Sequence, residues 1–309
     1  MLALPLCELI GHAVIVWRVP SLADYRAASG FIRAQLQERD LITGAPAFID
    51  PIVRWHLGDR MPLAMAGRSD DATYERMWVL SIRNALPSDA PKVAPELTKQ
   101  FGRVRVLRYA LTPSPVLFDF VANWDRAEAS IARAGASQPC RLRRGGMPRG
   151  GGLGRGVLMP VPDRFECDPA RPELFVGPVV LEDLDNRARY CLWQHPQQGD
   201  APVTLSFHDV PLGEELLFYA GIYYEHERMR QGGPIDATIA IDGVARAQFH
   251  HQDGDGFRSL RLLTAGLGKE RGEVSVSVRA HDPENRSFCW TASTRRGPRA
   301  PMAERSPQP

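Results

Sequence analysis

Residues 235–249, IDATIAIDGVARAQF, decide how the second half of this chain is read. Ile235, Ala237, Ile239 and Ile241 recur at every second position. A period of two places alternate side chains on opposite faces of a β-strand. Asp242-Gly243 then forms a strong two-residue hairpin signal before the return run VARAQF.

Working outward, VTLSF (203–207) and VSVSV (274–278) alternate in the same way. Further strand-length runs fall at 174–181, 188–194, 215–224, 257–263 and 287–292. With no long helical period among them, these nine runs predict an antiparallel β-sandwich of jelly-roll type over 157–294. Residues 295–309, rich in Pro, Arg and Ser, are expected to be disordered.

Upstream, RLRRGGMPRGGGLGRG (141–156) has too little apolar content to build a core. It reads as part of a linker over 136–156. Residues 1–135 read as a small α/β unit. Ser21 caps a helix running to Glu38, in which Leu22, Tyr25, Ala28, Ile32 and Leu36 form one stripe. Strands follow at 40–43, 77–82 and 104–111, a short helix at 52–57 after Pro51, and a brief helix at 123–134. The whole is an α+β chain in two parts.

The 309 residues suit about two domains, and 44% apolar with 24% charged residues is ordinary globular composition. A net charge of +2 gives no global drive toward nucleic acid, and no such partner is expected. Leu2–Val16 is apolar but carries Glu8 and His12. It is shorter than the ~20 residues of a spanning helix and lacks the basic start of a signal peptide. The chain therefore reads as soluble, unless it is a fragment of a longer membrane protein.

None of Cys7, Cys140, Cys167, Cys191 and Cys289 forms a CxxC pair, which removes zinc ribbons and thioredoxin chemistry. The last four allow three full pairings. Cys191 and Cys289 sit in strand-like segments at opposite ends of the β region and are the first pair expected; free buried thiols are the alternative.

No motif of high catalytic specificity is present. The Gly-rich segment lacks Gly-Lys-Ser/Thr, and neither Gly-x-Ser-x-Gly nor His-Glu-x-x-His occurs. Asp253-Gly254-Asp255-Gly256 resembles half of a calcium loop, so Asp253 and Asp255 are candidate ligands of a structural calcium; a plain β-turn explains them equally. No other cofactor is expected. His250 and His251 are adjacent and face opposite sides of a strand. Glu225 and Glu227 share a face if their segment is a strand, the arrangement a carbohydrate hydrolase requires, but a solvated strand end is the plainer reading. Aromatic residues concentrate in the β region, and rings with polar tips make platforms for sugars. The candidate ligand-binding set is Trp193, His195, Tyr223, Tyr224 and Glu225. No catalytic residue is assigned.

Two resemblances follow from these segments. Residues 25–59 (YRAASGFIRAQLQERDLITGAPAFIDPIVRWHLGD), with YERMWVLSI and FGRVRVLRYAL, resemble the extracytoplasmic segment after the last membrane helix of bacterial protein-mannosyltransferase-like glycosyltransferases. CLWQHP, VPLGEELLFYAGIYYEHER, IAIDG and DGDGF are similar to carbohydrate-binding sandwich domains. The multi-span catalytic part of such transferases is absent, so no catalytic residue carries over. The resemblance implies a noncatalytic accessory module in the periplasm or cell envelope. It would bind glycan or lipid-linked sugar and could associate with a membrane protein. Without the resemblance the chain reads as cytoplasmic. The alternatives are a carbohydrate hydrolase and a structural interaction protein.

Overall fold

The computed structural model describes residues 8, 11–12, 19–133, 135–145, 163–171, 174–198 and 202–297. The chain forms two compact units, Met1–Ala66 with Asp70–Pro113, and Gly67–Ser69 with Ser114–Pro309. The boundary expected at 135 therefore lies at 113/114. Cys7, most of the Gly-rich segment and the tail beyond 297 lie outside the described residues.

In the first unit, helix α1 (Leu22–Arg33) starts at a capping box in which Ser21 and Asp24 exchange side-chain-to-backbone hydrogen bonds. It ends earlier than its apolar stripe predicts. Strands β1 (Asp40–Ala45), β2 (Arg76–Ser81), β3 (Leu97–Phe101) and β4 (Val104–Ala110) form one sheet in the order β1-β2-β4-β3. The β1–β2 pair is parallel, and the helix α2 (Asp50–Leu57) lies between them in sequence, with Pro51 in its first turn. A short helix, α3 (Leu63–Ala66), follows. The edge strand β3 was not anticipated: it is mostly exposed and has no apolar run.

The second unit is a two-sheet β-sandwich. Its strands are β5 (Val116–Asp119), β6 (Glu128–Arg133), β7 (Ala136–Pro139), β8 (Arg141–Arg143), β9 (Arg164–Glu166), β10 (Phe175–Glu182), β11 (Ala188–Gln194) and β12 (Val203–Pro211). They continue with β13 (Glu215–Ile222), β14 (Ile235–Ile241), β15 (Val244–His251), β16 (Arg258–Leu263), β17 (Arg271–Ala280) and β18 (Phe288–Arg295). One sheet runs β16-β13-β18-β11-β10-β9-β8, with β5 also on β18; the other runs β15-β14-β17-β12-β6-β7. All named pairings in both are antiparallel.

The alternating positions behave as their period requires. Ile235, Ala237, Ile239 and Ile241, with Val274, Val276 and Val278, enter one core with Leu216, Phe218 and Trp290 of the other sheet. Asp242 and Gly243 have φ of 49° and 73°, as a type I′ hairpin needs. Gln194 ties the layers together: its amide donates to Val203 O (2.8 Å) and Val276 O (3.0 Å), while its carbonyl accepts from Trp290 Nε1 (2.7 Å).

Two local expectations change. Residues 123–134 hold one 3-10 turn, Trp124–Arg126, and then β6, because Ala129 and Ile131 face the core while the strand pairs with β12. Residues 136–143 of the expected linker are strands: β7 extends one sheet and β8 the other. Between them lies Cys140, disulfide-bonded to Cys167. The pairing of Arg141 with Glu166 sets these cysteines opposite one another, with Cα atoms 4.2 Å apart.

Candidate functional site

The candidate site lies where β10, β11, β13 and β18 meet at one end of the sandwich. Trp193 of β11 pairs with Cys289 of β18, which pairs in turn with Gly221 of β13. The period of two brings Cys191, two residues from Trp193, to the same outer face. Cys191 and Cys289 form a disulfide with Cα atoms 5.7 Å apart. Around it packs an apolar cluster, separate from the main core, of Phe175, Val179, Leu181, Trp193 and Tyr223, with Tyr224 at its edge. Phe175 and Trp193 stack at 5.4 Å with 6° between their planes. Tyr223 and Tyr224 meet edge to face at 4.6 Å.

The structure thus gathers most of the sequence-derived set but changes the parts its members play. Trp193 and Tyr223 are only 5% and 6% exposed, so they support the site rather than offer a platform. Burial, reinforced by the Tyr224 hydroxyl and the Glu225 carboxylate, holds the Tyr223 hydroxyl protonated. His195 is half-buried, its ring 6.1 Å from that of Trp193 and its Nδ1 2.8 Å from Pro196 O. Tyr224 and Glu225 remain partly accessible. The Tyr224 hydroxyl donates to Glu225 Oε1 at 3.2 Å, and the Arg228 guanidinium lies 5.1 Å from the Tyr224 ring centre.

The strand expected through Tyr224 ends at Ile222, and residues Tyr224–Met229 form a one-and-a-half-turn helix, α4. This corrects the reading of Glu225 and Glu227 as neighbours on one face. Two residues apart on a helix they diverge by about 200°. Glu225 stays at the surface, whereas Glu227 turns inward and is 1% exposed.

Under α4 lies a buried polar cluster that sequence reasoning missed. Glu227 Oε1 accepts from Gly256 N and lies 3.5 Å from His251 Nε2. Arg286, itself buried, grips Asp253 with two parallel contacts of 2.5 and 3.1 Å. His226 Nδ1 and Ser287 Oγ share a 2.6 Å hydrogen bond. Burial, then the charge of Arg286, lowers the pKa of His226 below its ordinary value. Gly232 leaves room for the guanidinium: a Cβ there would stand 1.9 Å from Arg286 Nε. Alternation put His250 and His251 on opposite sides; the fold turns His251 inward and His250 outward, where its Nδ1 meets Asp236 at 2.8 Å.

The same geometry gives Asp253 and Asp255, the candidate calcium ligands, partners within the chain. Asp253 is taken by Arg286, and Asp255 accepts from Arg258 at 2.6 Å and from Gln252 N at 3.0 Å. A guanidinium already supplies the positive charge that a hard cation would bring. Among the described residues no group of three or more His, Cys, Asp or Glu side chains is placed to hold a metal ion.

No family model matches the chain, and no curated protein matches it. Solved structures do show likeness. The CBM51-2 and INT domains of Clostridium perfringens ZmpB align at 11% identity over 39% of this chain and 26% of that one, with a TM-score of 0.30. The structure of those domains with GlcNAc aligns at 10% identity over 64% and 36%, TM-score 0.34. The chain therefore spans about a quarter to a third of the length of these first structures. The CBM51 of Clostridium perfringens GH95, in complex with methyl-galactose, aligns at 9% identity over 38% of this chain and 81% of that one, TM-score 0.28. These neighbours are carbohydrate-binding modules of β-sandwich fold, and no glycosyltransferase relationship accompanies them.

Proposed function

We propose that the sandwich is a noncatalytic glycan-binding module whose ligand rests against Tyr224, Glu225 and His195. The observation that carries this reading is the outward pairing of Tyr224 with Glu225 on α4. An aromatic face beside a hydrogen-bonding carboxylate suits a sugar, which has an apolar C–H face and a rim of hydroxyls. Beneath it the stacked Phe175–Trp193 pair and the Cys191–Cys289 disulfide give that face a rigid backing, which lowers the entropy cost of binding.

Hydrolysis is the weaker reading. Glu225 and Glu227 do not face one another, and the Ser287–His226 pair has its serine only 1% exposed, beyond the reach of substrate. Two disulfides accord with an oxidising compartment, and no described helix is long and apolar enough to cross a membrane. The finer proposal is that the module works in the periplasm or cell envelope. There its ligand would be a glycan or the head of a lipid-linked sugar, presented to a membrane glycosyltransferase.

A glycan array tests the binding. The intact protein should retain a defined set of glycans, and Tyr224→Ala should weaken retention at least tenfold with an unchanged melting temperature. A folded wild-type protein that retains no glycan overturns the reading. Co-purification with a membrane glycosyltransferase tests the finer part.

A further inference from the structure

The loop Asp253-Gly254-Asp255-Gly256 stands against α4, the helix that carries Tyr224 and Glu225. That helix has six residues, and its N-cap, Tyr223, contributes no side-chain hydrogen bond. Isolated helices shorter than about 12–15 residues are marginal in water. Tyr224 and Glu225 therefore owe their placement to whatever fixes α4 to the sandwich.

The inner side of α4 supplies two such fixings. Glu227, 1% exposed, extends Oε1 to Gly256 N at 2.5 Å, with His251 Nε2 3.5 Å away. His226 Nδ1 shares its 2.6 Å hydrogen bond with Ser287 Oγ, one residue before β18. A bond from an amide to a carboxylate is stronger than one between neutral groups, and a covered carboxylate deprived of it carries a desolvation cost. The Glu227–Gly256 bond is the stronger of the two.

The donor of that bond is held ready. Gly254 and Gly256 take φ of 98° and 67°, in the left-handed region that favours glycine. Arg286 grips Asp253 at 2.5 and 3.1 Å, and Asp255 accepts from Gln252 N at 3.0 Å and from Arg258 at 2.6 Å. Both aspartates thus brace the loop, and the Gly256 N–H is presented from a fixed frame. At the other end of the helix, a Cβ on Gly254 would stand 3.8 Å from Nη2 of Arg230, the C-cap of α4.

We propose that the 253–256 loop is a socket for α4, and that Glu227 and Gly256 are positioning residues of the glycan site. They touch no ligand and act through Tyr224 and Glu225. This rests on the glycan-binding reading and adds to it that affinity depends on a bond buried beneath the helix.

Hydrogen exchange of the full chain reads the socket without ligand, and retention on the glycan array reads its consequence. Glu227→Ala should speed exchange of the amides of residues 227–229 at least about tenfold, the effect of losing one hydrogen bond to a carboxylate. It should weaken glycan retention at least about threefold, since affinity falls with the fraction of docked helix. Amides of β13 and β18 should exchange as in wild type. Glu227→Gln keeps an acceptor for Gly256 N and should restore most of both effects. Gly256→Ala strains the loop and should reproduce part of the Glu227→Ala change; combined with Glu227→Ala it should add little, because both remove one bond.

Exchange at 227–229 as slow in Glu227→Ala as in wild type overturns the socket. So does an acceleration shared equally by β13 and β18, which marks a general loss of stability, or a Glu227→Gln chain no better than the alanine variant. Unchanged glycan retention in Glu227→Ala, with the helix released, overturns the positioning role and leaves the glycan reading intact. A folded wild-type chain that retains no glycan overturns the glycan reading instead, and exchange then decides the socket.

Discussion

Two buried clusters meet at α4, and they are built on opposite principles. Around the Cys191–Cys289 disulfide the chain packs Phe175, Trp193 and Tyr223, whose stability comes from apolar area and ring contacts. Under α4 it packs Glu227, His251, Arg286, Asp253 and His226, where each charge is tolerable only because another stands beside it. The first kind of cluster loses stability in proportion to what is removed. The second fails abruptly when one partner goes, because the remaining charge is left without water or a mate.

The sharpest way to break this comparison is Arg286→Ala. It strands Asp253 and should cost about 3–5 kcal/mol in a urea-unfolding experiment. Arg286→Met with Asp253→Leu removes both charges and should recover much of the loss. If the double variant is as unstable as the single one, the cluster is not held by charge pairing. On the apolar side, Cys191→Ala with Cys289→Ala opens a loop spanning 98 residues of sequence and should cost about 2–5 kcal/mol by the same measurement. A loss below about 0.5 kcal/mol would show that packing alone holds the cluster.

Gly232→Ala comes next. Its Cβ would overlap the Arg286 guanidinium, and overpacking of this kind costs about 1–3 kcal/mol. Thermal unfolding that matches wild type would mean the loop yields freely.

The smallest expected effect is on acidification. The imidazole of His226 is harder to protonate in the folded state than in the unfolded chain, whose ordinary value is near 6.5. Below that pH the unfolded chain therefore binds more protons, and stability falls as pH falls. His226→Gln should flatten the decline between pH 7.5 and 5.5, and hydrogen exchange of residues 224–234 should report it locally. An unchanged slope in the variant would assign the decline to other groups.

How far these features could be read beforehand differs element by element. The alternation of Ile235 to Ile241, of Val203 to Phe207 and of Val274 to Val278 located three strands and their buried faces, because strand periodicity is local. The Cys191–Cys289 pair was accessible through the strand-like segments around each cysteine. The helix α4 was not. YYEHERM is too short to show a helical period, and its apolar start looks like the end of a strand. That one misreading put Glu225 and Glu227 on the same face and hid the ionic cluster. The strands β7 and β8 were missed because ASQP and RLR have no apolar alternation; they exist because neighbouring strands supply their hydrogen-bond partners.

Asp253 and Asp255 make the same point about chemistry. Their spacing is compatible with a cation site, a turn or ion pairs, and nothing within the segment chooses among these. What Asp253 meets in the fold is Arg286, from 33 residues away. By itself, then, the sequence determined the sandwich, its hairpin at Asp242-Gly243 and which side chains alternate inward, since these depend on backbone geometry over a few residues. Only the tertiary structure decided which carboxylates are free, which aromatics are covered and which histidine is buried beside an arginine. Those properties depend on partners that the chain brings together only after it has folded.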